Sequence, residues 1–162
     1  MRKMAVLCTL VAAALSITVS GGTALAGDPR LETTVQATLT GDAVVPGPGD
    51  PDGTGDITLH LYPAKNKICY NSSASNIGEA TAAHLHMGAA DGEGSVRLNL
   101  KTPPQDGSSA RECRRGLSKE FVQKIKRNPS NYYVDVHNAD YPNSALRGQV
   151  FKPWPLFYCV YL

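Results

Sequence analysis

The feature that most constrains the fold is the alternation of apolar and polar residues in short runs, which glycine, proline, aspartate and asparagine separate. A period of two is typical of strands, where successive side chains point to opposite faces. The segment 46–55 is a surface loop, because its prolines remove backbone donors and its glycines favour unusual backbone angles. The alternation predicts strands near residues 32–40, 55–62, 67–74, 81–87, 95–100, 131–138 and 145–151.

One short helix is predicted between residues 118 and 129. Ser118 is a suitable N-cap, and Pro129 ends the segment. Between them, apolar residues recur at helical spacing, at Phe121, Val122 and Ile125. Seven strands and one helix in a single domain predict a mostly β fold, an antiparallel β-sandwich or Greek-key barrel with one short helix.

Residues 1–26 have the order of a cleavable export signal. Arg2 and Lys3 precede an apolar stretch that ends in the small residues of 24–26. The stretch is too short to favour a membrane span. We therefore expect a secreted protein, released to the extracellular space or the cell envelope, with one domain over residues 27–151.

The final residues, 152–162, form an apolar tail that is too short to cross a bilayer. Two interpretations stay open. The tail packs as an extra edge strand, or it exposes a patch that favours association. The sequence does not choose between them, and it leaves the oligomeric state open.

The charge balance argues against a polyanionic partner. The chain has 16 Lys and Arg against 14 Asp and Glu, and removal of Arg2 and Lys3 with the signal makes the two signs equal. Because the basic residues form no extended block, neither nucleic acid nor an anionic membrane surface is an expected partner. The expected partner is an unidentified extracellular protein or a metal ion.

Three cysteines remain after removal of the signal, at positions 69, 113 and 159. In an oxidising compartment two of them are expected to pair. Cys69 and Cys113 lie in regions predicted to be structured, and their disulfide is expected to stabilise the domain by about 3–4 kcal/mol in a chain-entropy picture. Cys159 is then free, paired between chains, or a competitor for one of the other two.

Four short motifs follow one another along the chain, each occurring once. They are Leu39-Thr40-Gly41, Ala83-His84-Leu85-His86-Met87-Gly88, Tyr133-Val134-Asp135-Val136-His137 and the segment from Pro142 through Leu146-Arg147-Gly148-Gln149. Together they resemble the chordin-type (CHRD) domain family over roughly residues 33–151. That family occurs alone in secreted bacterial proteins and as repeats in chordin, an extracellular protein that binds growth factors. The resemblance implies a secreted binding module and does not imply a particular reaction.

Three histidines form a candidate metal site. His84 and His86 are two residues apart on a predicted strand, so both imidazoles project from one face. His137 lies on another predicted strand and is the candidate third ligand. Three neutral imidazoles suit copper or zinc, and Asp135, on the same face as His137, is placed to orient a ring from the second shell. The alternative is a hydrogen-bonded histidine cluster that fixes strand register.

The same residues have a more distant resemblance to β-sandwiches of the Cu/Zn superoxide dismutase type. That resemblance implies copper bound by His84, His86 and His137, with Arg147 guiding an anion, while a structural Arg147 bonded to main-chain carbonyls is the favoured alternative. We assign no catalytic residue. Three functions stay open: a CHRD-type binding module with copper at the histidines, a copper-only redox enzyme, and a purely adhesive extracellular domain.

Overall fold

The computed structural model describes residues 32–104 and 106–153. The predicted signal, Cys159 and most of the apolar tail lie outside these residues. Within them the chain forms eight strands and one α-helix, which are β1 (Thr33–Thr40), β2 (Thr54–Tyr62), β3 (Lys67–Ser75), β4 (Ala80–Met87), β5 (Ser95–Leu100), β6 (Ala110–Arg115), α1 (Lys119–Arg127), β7 (Tyr132–Asn138) and β8 (Leu146–Gln149). The mostly β fold with one short helix is confirmed.

The strands form one antiparallel sheet in the order β5-β4-β7-β8-β1-β2-β3-β6. One core cluster contains buried residues from both ends of this order, including Leu100 of β5 and Tyr70 of β3. The main-chain N–H of Lys101, just after β5, donates to the Tyr70 hydroxyl at 2.8 Å. The sheet is therefore curled, so that its two halves enclose a shared apolar interior.

The helix α1 closes one side of this core as its sequence predicts. Ser118 is the N-cap, and its Oγ accepts a hydrogen bond from the Phe121 N–H at 3.2 Å. Val122 and Ile125 are fully buried in the core cluster. Among the described residues, no helix has the length and apolar character needed to cross a membrane.

The strand β6 was not predicted from the sequence. It lies at an edge of the sheet, pairs with β3, and carries three arginines and a glutamate among its six residues. Charged edge strands lack the apolar alternation of strands that pack on a core, so the pattern that revealed the others is absent here. Cys113 of β6 lies directly opposite Cys69 of β3, and the predicted disulfide joins them.

Candidate metal centre

The candidate site is built on the neighbouring strands β4 and β7. In their antiparallel register, His84 is opposite Asp135 and His86 is opposite Tyr133, while His137 is opposite Ala82. The intervening residues of both strands, among them Leu85 and Val134, are buried in the apolar core. The period of two therefore gathers the polar side chains on the other face of the sheet.

Three of these side chains bring possible ligand atoms together. Nδ1 of His84 lies 3.1 Å from Nε2 of His137. The Asp135 carboxylate lies 3.3 Å from each of these two nitrogens. One ligand atom from each of His84, Asp135 and His137 falls within 4.8 Å of the others, which is the arrangement of side chains that share a metal ion.

The third histidine, His86, lies beside this group. It is 9% exposed, and its Nε2 lies 3.0 Å from the Asp135 carboxylate without the geometry of a hydrogen bond. Among the described residues Nε2 of His86 has no hydrogen-bond partner, and neither does Oδ1 of Asp135, which is buried as well. Buried polar atoms without partners are costly, so these two atoms indicate that something else satisfies them.

Main-chain carbonyls fix the tautomers of two histidines. Nδ1 of His86 lies 2.8 Å from the Gly94 carbonyl oxygen, and Nδ1 of His137 lies 2.9 Å from the Pro142 carbonyl oxygen. Because a carbonyl oxygen can only accept, each Nδ1 carries the proton and donates it. In the neutral rings, both Nε2 lone pairs then face the Asp135 carboxylate. Acceptors facing one another repel unless a proton or a metal ion lies between them, and a carbonyl behind the ring is the usual support of a metal-binding histidine.

Burial and the Asp135 charge act in opposite directions on the site. Burial raises the pKa of Asp135, but the neighbouring His137 and His86 outweigh it and lower that pKa well below its usual range. The Asp135 carboxylate raises the pKa of His137. For His86 burial lowers the pKa, and the Asp135 carboxylate and the Gly94 carbonyl reverse the direction, so the net pKa is raised. Burial dominates at His84 and lowers its pKa. The carboxylate therefore stays ionised and draws positive charge to its histidines.

A cavity of about 200 Å³ opens over the histidines. Its walls include Val96 and Ser144, while Glu93 and Asn143 line it as additional polar side chains. The His84 side chain is 22% exposed, which leaves it the most accessible of the three rings. A small molecule or ion can reach the site from this side.

Comparison with known families places the whole site in one domain. The CHRD domain family matches the chain over residues 35–150. The chain belongs to the CHRD domain family. The matched range runs from β1 to the end of β8 and contains all the candidate ligands. No curated protein and no solved structure matches the chain.

Arg147 of the CHRD domain lies beside the site and lines the same cavity, where the sheet register places it opposite Asp135. It is 3% exposed, and its guanidinium lies 3.7 Å over the Tyr133 ring. The Tyr133 ring also stacks on the His86 ring, with 4.6 Å between the ring centres. The guanidinium donates to the carbonyls of Val45, Ala89 and Gly92. This is the carbonyl-bonded arrangement that the sequence favoured over anion guidance.

The CHRD domain thus brings together all three predicted ligands and Asp135. His60, the remaining histidine, lies away on β2 and pairs with Glu32. Sequence analysis did not predict the roles of Gly94 and Pro142, because both act through main-chain carbonyls, which every residue carries. It also missed Tyr133, although its position two residues before Asp135 places it on the same face.

Proposed function

We propose that this CHRD domain is a secreted binding module that holds a copper ion between β4 and β7. The observation that carries the proposal is the convergence of imidazole nitrogens on the buried Asp135 carboxylate, with two ring tautomers fixed by main-chain carbonyls. His84, His86 and His137 supply nitrogen, and Asp135 supplies oxygen. The sequence placed Asp135 in the second shell; its distances support a direct ligand role.

The donor set favours copper. Imidazole nitrogens with a carboxylate oxygen suit Cu(II) and Zn(II), and for a given site of this kind Cu(II) binds most tightly among divalent first-row metals. Calcium and magnesium prefer sites made of oxygen atoms alone. Secretion is consistent with the Cys69–Cys113 disulfide, since disulfides persist in oxidising compartments.

The test is titration of the purified protein with Cu(II) and with Zn(II), monitored by isothermal calorimetry. Metal analysis of the titrated protein then gives the number of ions bound per chain. We expect one copper per chain, bound more tightly than zinc. The double variant His84→Ala, His137→Ala is expected to lose this binding. His60→Ala is the matched control, because it removes the histidine that lies outside the site. Absence of copper binding by the intact protein, or its survival in the double variant, contradicts the proposal.

A copper redox activity is a second candidate, which the cavity beside His84 supports. A redox site needs an open coordination position that a small substrate can reach, and about 200 Å³ of space is available there. Arg147 lines the same cavity, but its guanidinium already donates to three carbonyls, so we assign it no role in turnover. A superoxide assay of the copper-loaded protein tests it. Turnover no faster than that of the double variant rejects the enzyme and leaves the binding module.

A further inference from the structure

The loop between β4 and β5 holds His86 in place. The Gly94 carbonyl accepts a hydrogen bond from the Nδ1–H of His86, and the Gly94 N–H donates to the Tyr133 hydroxyl at 3.1 Å. A Cβ at position 94 would lie 2.0 Å from the Met87 carbonyl oxygen, so only glycine fits there. The orientation of His86 therefore depends on where the main chain of this loop sits.

Side chains of β8 hold the same loop. Nη2 of Arg147 donates to the Ala89 carbonyl at 2.8 Å and to the Gly92 carbonyl at 2.7 Å. Nε2 of Gln149 donates to the Gly88 carbonyl at 2.9 Å. Three loop carbonyls, those of Gly88, Ala89 and Gly92, are thus bonded to β8, a strand that β7 separates from β4 in the sheet, while Gly94 at the other end is bonded to Tyr133 of β7.

We propose that Arg147 is a positioning residue of the metal site, which acts through the loop 88–94 on the ring of His86. The inference rests on the proposed copper site. Arg147 does not touch the candidate ligand atoms. It fixes the loop, the loop places the Gly94 carbonyl, and that carbonyl holds the proton on Nδ1 of His86 so that Nε2 presents its lone pair to the ion.

The guanidinium suits this role and an ammonium does not. Nη1 donates to the Val45 carbonyl at 3.0 Å while Nη2 donates to the two loop carbonyls, and the guanidinium carbon lies 3.7 Å from the centre of the Tyr133 ring. A lysine carries the same charge as a compact point and lacks the planar fork. Arg147→Lys therefore keeps the electrostatic effect on a bound cation and removes the placement of the loop.

The first experiment reads His86 without metal. In ¹⁵N-labelled, metal-free protein, at a pH high enough for the His86 ring to be neutral, ring ¹⁵N shifts report which of its nitrogens carries the proton. We expect an Nδ1–H ring in the wild type and a mixture of tautomers in Arg147→Lys. Arg127→Lys, an exposed arginine at the end of α1, is the matched control and should leave the His86 signals unchanged.

The second experiment is a double-mutant cycle on copper affinity. Arg147→Lys is expected to weaken Cu(II) binding by roughly 10-fold, the size of effect that outer groups have at metal sites. In a His86→Ala background the same substitution should change affinity less than 2-fold, because the ring it positions is gone. The copper EPR spectrum should shift in Arg147→Lys toward that of His86→Ala.

The outcomes separate the two proposals. An unchanged His86 tautomer in Arg147→Lys overturns the positioning role, and so does an affinity loss of equal size with and without His86. If the wild type binds no copper, the proposed function falls, while the tautomer measurement still decides the positioning role. If Arg147→Lys does not fold, Arg147→Gln, which also lacks the charged planar fork, is judged by the same tautomer measurement, and an unchanged His86 tautomer there overturns the positioning role.

Discussion

At the scale of single residues, Asp135 is where the electrostatics of the site converge. Its carboxylate lies between 3.0 and 3.3 Å from a ring nitrogen of each of the three histidines, although the residue is 5% exposed. A buried charge is tolerated when it is paired or binds a metal. The Asp135 carboxylate on β7 therefore adds an electrostatic attraction to the histidines of β4, in addition to the backbone hydrogen bonds between the two strands.

Asp135→Asn is expected to weaken Cu(II) binding by at least about 10-fold, because an amide of the same shape carries no charge and is a poorer ligand. Competition titration against a chelator of known affinity measures the change. Asp56→Asn, on the exposed face of β2, is the control and should bind as the wild type does. Equal affinities of Asp135→Asn and Asp56→Asn would show that the carboxylate is not a ligand.

Tyr70 gives a prediction about alkaline stability. Burial, followed by its hydrogen bond to Glu112, raises the pKa of Tyr70 to about 12 from 10.0. The neutral phenol is thus favoured in the folded state, so its stabilising effect is complete below pH 10 and is lost as the pH rises toward 12.

Tyr70→Phe should be less stable than the wild type by about 1–2 kcal/mol at pH 7, since Glu112 and the Lys101 N–H lose a partner. The gap should shrink between pH 10 and pH 12. Urea unfolding at several pH values measures it, and a gap that stays constant over that range would refute the assignment.

At the scale of secondary-structure elements, β6 depends most on covalent support. It pairs on one side with β3, and its disulfide joins residues that face each other in the ladder. Ala110 is its one buried residue. With so little apolar burial, the strand gains little from the core and relies on its backbone ladder and on Cys69–Cys113.

The variant Cys69→Ser, Cys113→Ser should therefore lose about 3–4 kcal/mol of unfolding free energy. Hydrogen exchange should show β6 amides exchanging first, while those of β4 and β7 stay protected. Urea unfolding of the oxidised wild type, the reduced wild type and the variant separates loss of the bond from the substitutions. A variant that matches the oxidised wild type would show that β6 needs no covalent support.

The elements also show how far sequence reasoning reaches. Alternation located the strands that face the core, and capping chemistry located α1, because both signals are local. Alternation also placed His84 and His86 on one face, because residues two apart on a strand point to the same side. The pairing of β4 with β7 joins strands that are far apart in the sequence, and no local pattern predicts it. The contact between His84 and His137 could therefore be seen only in the structure. The Gly94 and Pro142 carbonyls leave no signature in side-chain identity.

At the scale of the whole molecule, the CHRD domain over 35–150 fills most of the chain that follows the predicted signal. Export predicts a defined N-terminus. Protein recovered from the medium or the cell envelope of an expressing bacterium should begin at Gly27, as intact mass and N-terminal sequencing would show.

Ala26→Lys should block this processing, because the cleavage site requires small residues, whereas Thr23→Ser should leave it unchanged. Retention of residues 1–26 on the exported wild-type protein would contradict the prediction.

The site lies between strands that β5, β6 and α1 separate in the sequence. A partly synthesised chain that has made β4 but not β7 has His84 and His86 without Asp135 and His137, so it lacks half of the proposed ligands. Binding of a copper ion at the proposed site would thus require that the domain has finished folding. An ion bound at the proposed site would be selected from the surroundings in which folding finishes, and not from those in which the chain is made.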